Sequence, residues 1–118
     1  MGDMIPRAYE PLDAYLQPNK VLLIYGPRRA GKTTLLRNFL NQTTLRYKLD
    51  SGDNMRTQQL LSSQDFSQIL AYVEGYELLA IDEAQGIPNV GMALKIIVDQ
   101  VPGIRVLATG SSSFELAG

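Results

Sequence analysis

Residues Val21 to Leu40 run from a short apolar stretch, VLLIY, through GPRRAGKT, into a leucine-rich stretch, TLLRNFL. No other feature constrains the fold so tightly. A continuous apolar run bounded by turn residues fits a strand buried on both faces. The leucine-rich run fits a helix, with Leu35/Phe39 and Leu36/Leu40 as i,i+4 pairs. Between them, Gly26, Gly31, Lys32 and Thr33 spell G-x-x-x-x-G-K-T. A chance match in a chain this long is expected roughly once in a few hundred, from average residue usage. The strand before and the helix after are the context this motif requires.

The spacing has a physical reason. Glycines reach positive φ and let backbone approach an anion with no Cβ in the way. Successive N–H groups then converge on phosphate, and the helix start adds its positive dipole end. The candidate phosphate cradle is Gly26, Pro27, Arg28, Arg29, Ala30, Gly31, Lys32, Thr33 and Thr34. Lys32 is expected to neutralise β- and γ-phosphates, and Thr33 to offer its hydroxyl to Mg²⁺. Arg28 and Arg29 either face the γ-phosphate or remain solvated.

The rest of the chain repeats the strand–helix alternation. Strands are expected over residues 20–26, 44–50, 76–82 and 104–110. Helices are expected from Lys32 to Asn41, from Ser62 to Gly75 with a capping-box-like Ser62/Asp65 start, and over GMALKIIVDQV, residues 91–101. Tyr9, Leu12 and Leu16 suggest a lead-in helix within residues 1–19. This order predicts an α/β fold with a mostly parallel sheet, its core spanning residues 20–118.

A second motif ends the third strand. LLAIDEAQ places Asp82 and Glu83 at an apolar strand's carboxyl end. Asp82 is the candidate Mg²⁺ carboxylate, since that ion needs only one or two. Glu83 is the candidate that orients and polarises attacking water. A small GTPase would show Asp-x-x-Gly here and a later Asn-Lys-x-Asp, and neither is present, which favours ATP. In ATGSSS, Thr109 is the first choice for a hydroxyl that senses the γ-phosphate or positions water, and Ser111 the second. The chain contains no histidine and no cysteine. Histidine proton shuttles and thiolate metal sites are therefore excluded, and acid–base work falls to carboxylates, lysine, tyrosine or water.

Together, YGPRRAGKTTLL, LLAIDEAQGIPN and RVLATGSSSFEL resemble the AAA+-like phosphate-loop ATPases. In particular they are similar to a prokaryotic family of predicted ATPases that carry this module before a winged-helix-like segment and a nuclease-like C-terminal domain. The resemblance implies a three-layer α/β/α fold with strand order 5-1-4-3-2. It implies the same roles for Lys32, Thr33, Asp82 and Glu83, and supports a sensor at or near Thr109. It also implies a fifth strand that residues up to 118 do not supply. The chain is thus expected to be a fragment truncated after the fourth strand, weak or inactive alone.

The function expected is Mg²⁺-dependent ATP binding and hydrolysis. The alternative is a nucleotide-gated switch controlling a C-terminal or partner domain. A small-molecule kinase fits less well, because no arginine-rich lid is visible and an Asp-Glu pair suits water as acceptor. Expected partners are nucleotide, the C-terminal domain of the same chain, and a second copy at the exposed first-strand edge. A net charge of −1 does not indicate nucleic acid. No apolar run is long enough to cross a membrane and no signal peptide is visible, so a cytoplasmic location is expected.

Overall fold

The computed structural model describes residues 15–26 and 31–111. Four strands form one parallel sheet: β1 (Val21–Tyr25), β2 (Tyr47–Ser51), β3 (Leu78–Asp82) and β4 (Arg105–Gly110). Their order is β1-β4-β3-β2. The four helices are α1 (Lys32–Gln42), α2 (Met55–Ser62), α3 (Phe66–Val73) and α4 (Val90–Gln100). This is the parallel α/β fold expected from the strand–helix alternation, and its order matches the 1-4-3-2 portion of the implied 5-1-4-3-2.

Chain direction explains the two helical layers. From β1 the chain crosses over α1 to the far edge, β2, and then returns through β3 to β4. Right-handed crossovers in opposite directions must use opposite faces of the sheet. Accordingly α1 is the one described helix on one face, where Leu36 and Leu40 pack with Ile24, Leu78, Ala80 and Leu107. On the other face, α2, α3 and α4 bury Leu61, Ile69, Leu94 and Ile97 against Leu79, Ile81 and Val106. Successive residues of β3 thus serve alternate cores, which is why LLAI is apolar throughout. Each fully buried leucine or isoleucine contributes about 1.5–3 kcal/mol. The exposed Lys95–Asp99 pair, 3.3 Å apart, contributes about 0.3–0.5 kcal/mol. Burial, not surface charge, holds the sheet to its helices.

Three sequence expectations shift. First, β1 lies at an edge of the sheet, so Val21, Leu22 and Leu23 are half-buried rather than enclosed. Second, the helix expected from Ser62 begins at Phe66, as α3, and a helix not expected, α2, precedes it. Asn54 caps α2, its side chain accepting from the N–H groups of Arg56 at 2.8 Å and Thr57 at 3.2 Å. Ser62 ends that helix rather than starting the next. Asp65 is the true cap of α3, accepting from the Gln68 N–H at 3.2 Å. Third, Tyr15 to Asn19 form turns, with Leu16 buried under the α1 layer; the rest of the proposed lead-in helix, residues 1–14, lies outside the described residues.

Asn19 fixes this entry segment to the far end of α4. At φ 60° its side-chain amide donates to the carbonyls of Val98 (2.7 Å) and Val101 (2.8 Å) and accepts from the Gly103 N–H (2.9 Å). One side chain thus satisfies carbonyls that the helix end leaves open and aligns β1 with β4. Among the described residues, no helix is long and apolar enough to cross a membrane.

Candidate nucleotide site

The parallel sheet brings three strand ends together. Gly26 continues β1 by one bond, its N–H donating to the Gly110 carbonyl at 3.2 Å. Gly31 opens α1 at φ 83°, a conformation that glycine adopts without Cβ strain. Its carbonyl accepts the first helical bond, from the Leu35 N–H at 2.9 Å. Lys32, only 7% exposed, reaches back from the helix, and its Nζ donates to the Gly26 carbonyl at 3.0 Å. The lysine therefore spans the mouth of the loop. Pro27, Arg28, Arg29 and Ala30 lie outside the described residues; Thr34 is an exposed residue of the first turn of α1.

One residue further along α1, the Thr33 hydroxyl faces Asp82 at the end of β3, 3.0 Å and 3.3 Å from its two carboxylate oxygens. Between β1 and β3 runs β4, with Thr109 paired opposite Ile24. Thr109 is fully buried. Its hydroxyl donates to the Asp82 carboxylate and accepts from the Glu83 N–H at 2.9 Å. Thr109 thus joins the candidate metal carboxylate to the backbone of the candidate water-orienting residue.

Glu83 itself has φ 54° and ψ 50°, an uncommon left-handed conformation for a residue with a long side chain. Such a conformation costs on the order of 1–3 kcal/mol and persists only where surroundings enforce it. Here the enforcement is visible. Besides the Thr109 contact, the Glu83 carbonyl accepts from the Gly86 N–H at 3.1 Å. Gly52, just after β2, donates its N–H to the Asp82 carbonyl at 2.7 Å. A Cβ on Gly52 would stand 1.9 Å from the Glu83 carbonyl oxygen, and one on Gly86 would stand 2.6 Å from the Gly52 carbonyl oxygen. The loops after β2 and β3 therefore interlock backbone to backbone, with Gln58 of α2 donating to the Gly52 carbonyl at 2.7 Å. Gly52→Ala is expected to cost about 1–3 kcal/mol by forcing these loops apart, read as a lowered urea midpoint with unchanged m-value.

Beside Asp82, on the β2 side, lies a cavity of about 280 Å³ lined by Arg37, Asp50, Ser51 and Asn54 among others. Asp50 has one carboxylate oxygen engaged by the Tyr72 hydroxyl at 2.5 Å. Burial, and then this contact with Asp50, push the Tyr72 phenol well above the usual tyrosine range. Lys48 lies over the Tyr72 and Tyr76 rings, at 4.7 Å and 5.3 Å, which ties edge strand β2 to the end of α3.

The donor chemistry matches a hard, well-hydrated cation. A hydroxyl and a carboxylate converge, and among the described residues no group of three or more His, Cys, Asp or Glu is placed to enclose a metal. Such a site suits Mg²⁺, which keeps several waters and takes its remaining ligands from phosphate. A buried lysine at a glycine-initiated helix start suits the phosphates themselves.

Gln85, Gly52 and Gly86 belong to this arrangement and were not singled out by the sequence. The two glycines matter only because separate loops touch, and no local pattern announces that contact.

Comparison with known proteins places the chain in a family. The sequence profile described as an AAA domain matches residues 18–118. An uncharacterized protein of Mycobacterium tuberculosis is 36% identical over 99 residues, covering 83% of this chain and 21% of the relative. An uncharacterized ATP-binding protein of Pyrococcus horikoshii is 36% identical over 58 residues, covering 49% of this chain and 18% of the relative. The chain thus spans about a fifth of the length of these relatives. No solved structure matches it significantly.

Proposed function

This chain belongs to the AAA domain family, and from that premise we propose that it binds Mg·ATP and, in the intact protein, hydrolyses it. The observation that carries the reading is the meeting of the start of α1 with the end of β3, where the Thr33 hydroxyl lies 3.0 Å from the Asp82 carboxylate, next to the buried Lys32. The name of the Pyrococcus horikoshii relative, an ATP-binding protein, supports the choice of nucleotide.

Each side chain has a defined task. Lys32 leaves the Gly26 carbonyl to pair with β- and γ-phosphate oxygens, and the N–H groups at the start of α1 add their dipole. Thr33 and Asp82 would hold Mg²⁺, Asp82 through water. When bound, that ion neutralises charge on the phosphate oxygens as the transferred group separates. Glu83 orients a water and takes up its proton. Thr109 keeps Asp82 and the Glu83 backbone in register, so any sensing of the γ-phosphate passes through those two contacts. Catalytic power comes from positioning and preset charge.

Phosphate release by the intact protein tests the reading. Release should require both ATP and Mg²⁺ and stop when the metal is chelated. Failure of the unaltered protein to bind Mg·ATP in a calorimetric titration would overturn it.

A further inference from the structure

Among the described residues, Gln85 is the one side chain that ties the Glu83 carboxylate to the end of β4. Its Nε2 donates to Glu83 Oε1 at 2.7 Å and to the Ser111 hydroxyl at 3.0 Å. Its Oε1 accepts from the Ser111 N–H at 3.2 Å. The orientation of the amide is chemically fixed, because the flipped form would set its oxygen against the carboxylate and its NH₂ against an N–H donor. Three hydrogen bonds thus use both ends of one side chain, in the short 3-10 turn Ala84–Gly86 that follows Glu83.

The backbone explains why a clamp is needed. Thr109 and Gly86 hold only the main chain of Glu83. Among the described residues, Gln85 alone grips its carboxylate. The grip is anchored to Ser111, one residue beyond β4 and two beyond Thr109, so the carboxylate is referenced to the strand that also fixes Asp82.

We infer that Gln85 is a positioning residue that aims the Glu83 carboxylate at the attacking water, acting through Glu83 and not on nucleotide. This rests on the hydrolysis reading above. A misplacement of about 1 Å can cost on the order of 100-fold in rate. Gln85→Met keeps the length and bulk of the side chain and removes every hydrogen bond.

The test uses the intact protein. In Gln85→Met, kcat for Mg·ATP should fall about 10- to 100-fold, with KM and affinity for a non-hydrolysable ATP analogue unchanged. In a Glu83→Gln background, Gln85→Met should add less than about a twofold further loss, since residues acting as a unit are not additive. Independently of turnover, the Gln85 side-chain amide resonance in ¹H–¹⁵N spectra should shift on Glu83→Ala and on Ser111→Ala. An unmoved resonance, a full kcat in Gln85→Met, or losses that multiply across the two backgrounds would each overturn the inference. Normal Mg·ATP turnover with an indifferent Gln85→Met overturns this inference alone. Absence of Mg·ATP binding by the unaltered protein overturns the hydrolysis reading, and the inference with it.

Discussion

Lys32→Ala should weaken Mg·ATP binding by at least about 100-fold while leaving the fold intact. The lysine is buried, and its Nζ sits 3.0 Å from the Gly26 carbonyl across the loop mouth. Hydrogen bonds to charged groups contribute about 1.5–3 kcal/mol each. Loss of contacts to two phosphates is therefore about 3–6 kcal/mol, or a factor on the order of 10²–10⁴ in affinity. Lys32→Arg should fail to restore binding, because a planar guanidinium cannot occupy the place of a compact ammonium. Calorimetry measures the affinity and far-UV circular dichroism checks the fold. A variant binding Mg·ATP within threefold of the unaltered protein would refute the phosphate-loop assignment.

Glu83→Gln acts on a different quantity. Affinity for Mg·ATP should remain, while turnover falls on the order of 10²–10⁴-fold, the range expected when a positioned general base is lost. The substitution keeps the size of the side chain and removes only its basicity. The contacts at the Glu83 main chain, to Thr109 and Gly86, should persist. Single-turnover phosphate release separates the chemical step from product release. Turnover at the unaltered rate would move the general base elsewhere. The same variant also distinguishes an ATPase from a nucleotide-gated switch: control of a partner that survives without hydrolysis favours the switch.

How much could be read from the residues varies with how local the cause is. Gly26, Gly31, Lys32 and Thr33 are legible because a phosphate cradle needs one strand, one turn and one helix start in unbroken sequence. The parallel arrangement was legible because LLAI and VLAT lack the alternation of a half-exposed strand and helical patterns separate them, whereas the strand order came from the family resemblance. The start of α2 was not. Its helix MRTQQLLS buries only Thr57 and Leu61, too thin a stripe to stand out, and its cap depends on Asn54 adopting an extended backbone. Ser62 misled because serine followed three residues later by an acidic residue resembles a helix start, whereas here it closes one. Gln85, Gly52 and Gly86 were illegible for another reason. Their roles are set by loops 26 to 34 residues apart in sequence, meeting where the strands end.

The uneven layering has a thermodynamic consequence. Among the described residues, α1 is the sole helix on its face of the sheet, and its buried anchors Leu36 and Leu40 lie in its middle and later turns. Its first turn holds Lys32 and Thr33, whose side chains reach the Gly26 carbonyl and the Asp82 carboxylate. A ligand gripping that turn binds only the closed helix, so linkage adds its binding free energy to the opening cost of this layer. Occupancy by nucleotide would thus be recorded as protection of α1 amides, well before any other layer of the molecule registered the change.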